Sequence, residues 1–533
     1  MAPQVVRLPD GQIFTVTPVF AGWSFKSHDW TTAHSHIPIG WTIVLRTEEG
    51  DDNIQWHVDP RDAEDGDADG ERKPRPTRHT RSFRQPTLQN DNVFISSINI
   101  PSSSEFKAPA SPTRQIAMML WVTLYWYFHH TPPEPQVNNE VSRAIGTEGR
   151  PHGEWRINIK KDGVLRGKNL LPKLERMGLI ASLNNAVGVE GDDAGETWEN
   201  MFVSRRTFWQ TPGRLFLFTL QRNPSNVSYP GSPGGSRPGS PSRSDSPQPH
   251  GHHYRNSSSA SPHLGALRLG DSEAPPSPIP STMGNSPHYI MSQYVSTSAL
   301  PTYFPPPAAQ YIMTNNIRHP LRPRPPRLGE TFYSRFVPSV GQYLGFRVAS
   351  NSPQPVPYFG PVGPSPPTES QTTGFSDTEL LREWMCKPRV SKFWGEYKEG
   401  FLENNLKSRH CFPVIGMWDG VPFGYFEIYW VKEDILGQHL SGDASDWDRG
   451  FHCFVGEEWA RGRLPTWSTA LCHWCFGVDY RTQNVCLEPR VDNTKFVARL
   501  VETGFSKEKQ ITFPHKQSWF VRMRRDMWEG PAL

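Results

Sequence analysis

The chain opens with alternating apolar and polar residues. QVVRLPDGQIFTVTPVF, from Gln4, predicts two short strands about the turn pair Asp10-Gly11. Further strands are predicted at Gly40–Thr47 (GWTIVLRT), Phe94–Ile100 (FISSINI) and Leu215–Leu220 (LFLFTL). Between the last two, Ile116–His130 is apolar and aromatic throughout, too long for a strand and too short to span a bilayer comfortably. It predicts a buried helix, with a membrane-surface helix as the alternative. Glu154–Ile180 reads as the strand WRINI, a turn at Asp162-Gly163 and a short amphipathic helix ending near Gly178.

After residue 376 the elements become dense. SDTELLREWM carries a capping box, Ser376 with Glu379, ahead of an apolar face at Leu380, Leu381 and Trp384. A hairpin follows, strand 411–418, the turn Asp419-Gly420 and a second strand bearing Glu427. In Arg449–Trp459 (RGFHCFVGEEW), Phe451, Cys453 and Val455 face one way, His452 and Phe454 the other. Trp467, Ala470, Leu471 and Trp474 predict an amphipathic helix over Thr466–Phe476. The strand NVCLEP and a helix stopping at Gly504 come next. The last sheet segment, QITFPHKQSWFVRMR, has Pro514 at an edge or bulge in its middle.

Composition divides the chain. Its 533 residues include 53 prolines and 43 glycines, concentrated where GSPGGSRPGSPSRSDSPQPHGHH stands. Such a segment cannot bury enough apolar surface to offset chain ordering. The division expected is a folded α/β region at 1–222, a disordered insertion at 223–327, a connection contributing strands at 328–376 and a site-bearing domain at 377–533. A net charge of +3 gives no reason to expect nucleic acid as partner. The six cysteines lie mostly in apolar segments, as buried reduced thiols do. Cys472 and Cys475 lack a second ligand pair, so no metal site is assigned; His250, His252, His253 and His263 read as solvated linker. Without a visible secretory, transmembrane or peroxisomal signal, cytoplasm is the expected compartment, with the peroxisome as alternative.

The chemistry-bearing residues gather at strand ends. His452 reads as an acid/base or as a satisfied core histidine, and Glu427 as a substrate contact or a structural pair. Arg461, Gly462 and Arg463 precede the helix beginning near Thr466, where two guanidiniums, a small residue and a helix start suit a pyrophosphate; an exposed basic turn is the alternative. Glu488, Arg490, Asp492 and Asn493 cluster at a strand end, with Asp492 also able to cap the following helix. Trp430 is a candidate for an acyl or acceptor surface, or for packing.

The order strand, strand, strand, basic loop, helix, strand, helix, strand over roughly residues 377–525 resembles the GCN5-related N-acetyltransferase (GNAT) superfamily. GEEWARGRLPTWSTALCHWCF, DYRTQNVCLEPRVDN, ETGF and FPHKQ are similar to the fungal N5-hydroxyornithine acyltransferases of siderophore biosynthesis. The resemblance implies a GNAT-like mixed sheet with flanking helices, a degenerate GNAT-like domain before residue 222 and a catalytic C-terminal one. It implies His452 as the active-site histidine with Glu488 or Asp492 as acidic partner, and Arg461, Gly462, Arg463 and Thr466 as the coenzyme A loop. Glu427, Arg490, Asn493 and Trp430 are the candidate substrate contacts. Acyl-CoA, most simply acetyl-CoA, is a co-substrate rather than a bound cofactor. The acceptor implied is N5-hydroxy-L-ornithine, and other siderophore-pathway enzymes are potential partners. Three alternatives stay open: anhydromevalonyl-CoA as donor, a protein or polyamine acetyltransferase, and a scaffold with a decayed transferase domain.

Overall fold

The computed structural model describes residues 3–20, 22–28, 39–49, 79–99, 111–137, 140–167, 169–182, 201–217, 310–368 and 370–533. The histidine-bearing Pro/Ser/Gly-rich stretch expected to be disordered lies outside them up to residue 309.

The first sheet contains β1 (Gln4–Arg7), β2 (Ile13–Val19), β3 (Gly22–Ser27), β4 (Gly40–Glu49), β5 (His79–Ser82), β6 (Asp91–Asn99), β7 (Arg156–Ile159), β8 (Ala181–Ser182) and β9 (Met201–Ser204). Their order is β1-β2-β3-β4-β6-β7-β9-β8, with β5 on β4. A hairpin of β10 (Tyr311–Thr314) and β11 (Ile317–Pro320) precedes the second sheet. That sheet holds β12 (Thr331–Val337), β13 (Gln342–Val348), β14 (Cys411–Trp418), β15 (Val421–Trp430), β16 (Arg449–Val455), β17 (Asn484–Leu487), β18 (Ser506–Phe513) and β19 (Lys516–Arg524), ordered β12-β13-β14-β15-β16-β17-β19-β18.

Both sheets follow one plan. An antiparallel meander passes through a helix to a parallel neighbour: β6 to β7 through helix Pro112–Tyr127, and β16 to β17 through helix Leu464–Val478. These are tandem GNAT-like sheets. Each crossover helix is covered on more than one side. Trp126 packs on Trp23 and Phe25 of the first sheet, while Trp121 meets Phe208. Trp467 packs on Phe426 of the second sheet, while His473 meets Trp209 from the first region. One apolar core therefore runs through both sheets. Burial all round explains why Ile116–His130 shows no polar stripe, and why the helix read as amphipathic is buried along nearly its whole length. Among the described residues no helix is long and apolar enough to cross a membrane.

Three local expectations differ from the structure in whole or in part. Gly213–Leu215 is a 3-10 turn rather than the start of a strand, because Pro212 bends the chain and Gly213 sits under Trp121; residues 218–220 lie outside the described region. The segment expected to be disordered to residue 327 contains the β10–β11 hairpin. Its turn, Asn315-Asn316, has both residues at positive φ, a two-residue turn that the surrounding prolines mask in the composition. Pro514 marks an edge but no bulge: Pro514 and His515 form the tight turn between β19 and β18, the strand at the sheet's edge.

Candidate active site

The register of β15 on β16 pairs Glu427 directly with His452, which puts both side chains on one face of the sheet. Glu488 arrives from the end of β17. His452 Nδ1 lies 3.1 Å from Glu427 Oε2, and Nε2 lies 2.7 Å from Glu488 Oε1. Each carboxylate is held by further donors. Tyr429 donates its hydroxyl to Glu488 Oε2 at 2.8 Å, and Lys516 Nζ stands 3.5 Å from Oε1. Tyr425 and Asn405, the latter on helix Phe401–Leu406, each donate to Glu427 Oε1 at 2.9 Å. The Tyr429 ring lies 4.5 Å from that of His452. Its path across β16 requires glycine at its strand partner, since a Cβ on Gly450 would stand 2.3 Å from the Tyr429 ring.

Burial disfavours a charged imidazole at His452. The negative charge of Glu488 and hydrogen bonds to Glu427 and Glu488 outweigh it, raising the pKa well above 6.5. Glu488 mirrors this: burial would raise its pKa, but His452, Lys516 and the Tyr429 hydroxyl hold it down to about 2. Burial, reinforced by the neighbouring carboxylates, also keeps the Tyr425 and Tyr429 hydroxyls protonated and available as donors.

The cluster opens on one side. The His452 side chain is 27% exposed, against 3% for Glu488. The imidazole looks into a cavity of about 400 Å³ whose walls include Trp394, Ile435, Arg490, Asn493 and Lys516. An adjoining cavity of about 270 Å³ is lined by Arg389, Arg461, Lys495 and Arg499. The two share Phe393, Trp394, Cys453, Asn493 and Phe496, and so form one cleft.

The cleft follows from strand pairing. β16 and β17 pair only through Arg449–Val485 and Gly450–Cys486, and then part. Beyond that point, side chains satisfy two β16 carbonyls: Trp394 Nε1 donates to Cys453 O at 3.2 Å and Arg389 Nη1 to Val455 O at 2.9 Å. At the basic end Arg389 and Arg461 share one acid, Glu458, at 3.0 and 2.9 Å, which leaves net positive charge. Leu464, the first residue of helix Leu464–Val478, lines the same cavity and brings the helix's positive end to it. The cleft thus runs from cations suited to phosphates, past an apolar waist, to a buffered imidazole.

His452, Glu427, Glu488, Arg461, Arg490 and Asn493 all stand on this cleft or in its cluster. Gly462 adjoins Arg461 with nothing within 4 Å of where a Cβ would be. Four expectations are corrected. Arg463 turns away, donating to Gln342 Oε1 at 2.7 Å with its guanidinium between Trp418 and Trp459. Thr466 is buried within the helix rather than on a cleft wall. Asp492 does not reach His452: it chelates Arg490 at 3.0 and 2.6 Å, and Asn493 rather than Asp492 occupies the N-cap. Trp430 is out of step with Glu427 along β15 and stacks instead under Arg449, 3.7 Å from its centroid. Reading by residue type alone missed Tyr425 and Tyr429, although both share the strand parity of Glu427. Trp394, Asn405 and Lys516 are brought in by tertiary packing and carry no local signal. Among the described residues, no three His, Cys, Asp or Glu side chains gather as a metal site would.

The family model for an acetyltransferase (GNAT) domain matches residues 375–513, which hold β14 to β18 and most of the cleft. Over 97% of its length the chain is 54% identical to the N5-hydroxyornithine acetylase of Beauveria bassiana, covering 100% of that protein. It is 35% identical to an N(5)-hydroxyornithine:cis-anhydromevalonyl coenzyme A-N(5)-transacylase of the same fungus, over 39% of this chain and 42% of that one. It is also 35% identical to the N(6)-hydroxylysine O-acetyltransferase of Escherichia coli, over 38% of this chain and 58% of that one. With one of these matches running end to end and the GNAT domain lying on the cleft, the chain belongs to the family of the fungal N5-hydroxyornithine acetylase and is an acyl-CoA-dependent N-acyltransferase of GNAT fold.

Proposed function

We propose that the chain transfers acetyl from acetyl-CoA to the hydroxylamine nitrogen of N5-hydroxy-L-ornithine, giving a hydroxamate. The observation that carries this reading is the placing of His452, between two carboxylates, where a basic cavity meets a second cavity large enough for an amino acid. The cations Arg389, Arg461, Lys495 and Arg499 receive the phosphates of coenzyme A, and an extended arm runs along the unpaired edge of β16 toward Cys453. The thioester then lies at the waist formed by Phe393, Trp394 and Phe496.

A hydroxylamine nitrogen is weakly basic and arrives neutral. Its lone pair attacks the thioester carbon, the carbonyl π pair moves to oxygen, and the N–H becomes acidic as the C–N bond forms. Neutral His452 accepts that proton, with one imidazole–carboxylate bond yielding to the substrate; the oxyanion pair then re-forms the carbonyl, the C–S bond breaks, and the imidazolium returns the proton to the departing coenzyme A sulfur. Glu427 and Glu488 stabilise the imidazolium in between. No metal or resident cofactor enters this sequence. The product's two oxygens can chelate ferric iron, so iron belongs to the finished siderophore, and enzymes that make the acceptor or consume the hydroxamate are the natural neighbours.

The raised pKa of His452 has a kinetic consequence. The base must be neutral, so the rising limb of kcat/KM against pH is expected above the ordinary histidine value near 6.5. Glu488→Gln removes the negative charge that favours the imidazolium. The limb should therefore move toward acid pH while the plateau falls; a limb that stays in place or moves to alkaline pH would assign it to another group.

The donor is tested by competition. Purified chain is given N5-hydroxyornithine with equal concentrations of acetyl-CoA and anhydromevalonyl-CoA, and the hydroxamates are identified by mass. The end-to-end likeness to an acetylase and the aromatic waist support mainly acetyl product. Predominant anhydromevalonyl product would reverse the donor assignment, and absence of any hydroxamate would overturn the acceptor.

A further inference from the structure

The acceptor cavity has a basic corner formed by Lys516 and Arg490. Lys516 begins β19 directly after the Pro514-His515 turn, and Arg490 stands beside it because its backbone bridges to Ser518 on the same strand. Val491 N also donates to Gln517 O at 3.0 Å, which fixes the corner. Both cations line the cavity. The carboxylate lining it, Glu488, is committed to His452 and Tyr429 at 2.7 and 2.8 Å, whereas Lys516 reaches it only at 3.5 Å. Arg490 has Asp492 on one edge of its guanidinium and donates Nη1 to Lys392 O at 3.2 Å. Of the two cations Lys516 is the more loosely held: Asp492 chelates Arg490, whereas Lys516 Nζ meets the Glu488 carboxylate only at 3.5 Å and the Glu488 backbone oxygen at 3.4 Å, and its side chain is 23% exposed.

Position adds to charge. His452 Nε2 and Lys516 Nζ approach the same Glu488 oxygen, at 2.7 and 3.5 Å, so both border the same part of the cavity. A short carbon chain can therefore place one end at the imidazole and the other at the ammonium. An acceptor amino acid has that form: a nucleophilic nitrogen, a few methylenes, then a carboxylate.

We infer that Lys516, with Arg490 beside it, binds the α-carboxylate of the amino-acid acceptor and so selects an amino acid over the corresponding diamine. The inference rests on the acceptor named above and adds the residues that recognise its head group. Lys516 stands in the FPHKQ segment, and the charge-assisted hydrogen bond it offers discriminates by roughly 10–100-fold when its partner is missing.

The test compares N5-hydroxyornithine with its decarboxylated counterpart, N-hydroxy-1,4-diaminobutane, as acceptors for acetyl-CoA. The parent chain is expected to favour the amino acid by roughly 10–100-fold in kcat/KM. Lys516→Gln should lose most of that preference through a higher KM for the amino acid, while whatever it changes through Glu488 falls on both acceptors alike and cancels in their ratio. Lys516→Arg should restore it. If Lys516 only props Glu488, K516Q will slow both acceptors alike and shift the pH profile, which overturns the inference. A parent chain indifferent to the carboxylate overturns it as well. A parent chain that makes no hydroxamate from either acceptor rejects instead the function on which the inference rests.

Discussion

His452→Ala and His452→Gln are expected to fold and to form hydroxamate roughly 10²–10⁴-fold more slowly than the parent chain, mostly through kcat. The imidazole is the group in the cluster both open to a ligand and able to exchange a proton. Glu427 and Glu488 flank it, and Glu488, held down to about 2, is too weak a base to take over. Alanine also removes the cation between two carboxylates 3.1 and 2.7 Å from the ring, so some stability goes with activity. Glutamine separates the two effects, because it keeps volume and a donor but cannot titrate. Far-ultraviolet circular dichroism and thermal unfolding report the fold, and single-turnover assays at saturating acetyl-CoA report the chemistry. Near-parental turnover by a folded H452Q chain would remove His452 from the proton path.

The repeated plan of the two sheets shows why one of them carries the site. Counting from the parallel pairs, Val93 and Ile159 of the first sheet correspond to Gly450 and Cys486 of the second. The positions of Glu427, His452 and Glu488 then fall on Ile43, Ile95 and Lys161. Ile43 and Ile95 are likewise direct cross-strand partners, but both are fully buried and apolar. A structural residue of the plan does persist. Asp91 and Asp448 both stand immediately before the first residue of the parallel pairing, Asn92 and Arg449, and both accept from a backbone N–H a few residues upstream, that of Thr87 and that of Ser445. The first sheet keeps the architecture without the proton-transfer groups.

Much of this was legible in the sequence for identifiable reasons. Strand parity placed His452 and Phe454 on one face, and the packing of Phe454 on Trp394 and of Phe451 on Trp467 follows it. Applied to GYFEIYW, the same parity selects Tyr425, Glu427 and Tyr429 together and excludes Trp430. The basic loop was read by composition, but its 3-10 geometry over Glu458–Arg463 fans successive side chains apart, so Arg461 lines the cleft while Arg463 enters the aromatic core. Asp492 had the right chemistry, yet Arg490 two residues earlier captures it. Asn405 and Trp394 come from short helices whose placement depends on long-range packing, which no local period encodes.

A buried ion pair anchors that packing. Asp377→Ala is expected to cost about 3–5 kcal/mol of unfolding free energy, the range for leaving a buried charge unpaired. Asp377 opens helix Asp377–Met385 and is 0% exposed, and its carboxylate receives Arg347 from β13 at 2.6 and 2.5 Å and Ser350 N at 2.7 Å. Alanine strands the guanidinium, itself 4% exposed, where water cannot replace the lost partner. The consequence reaches the cleft. Trp384, the penultimate residue of the same helix, lies flat on Gly456 and donates to Glu457 at 2.6 Å. Helix Pro388–Trp394 follows at once and carries Arg389 and Trp394, which satisfy the parted edge of β16. D377A should therefore raise the KM for acetyl-CoA even at temperatures where the chain remains folded. Glu399→Ala is the matched control: its pair with Arg382 is 77% and 52% exposed, and such a surface pair contributes at most about 1 kcal/mol. Denaturant unfolding of the three chains, with acetyl-CoA kinetics on each, measures both effects. A D377A chain as stable as E399A would mean that Arg347 finds water or a new acceptor, and that the helix pair is held by its apolar face around Leu380, Leu381 and Trp384 rather than by the buried ion pair.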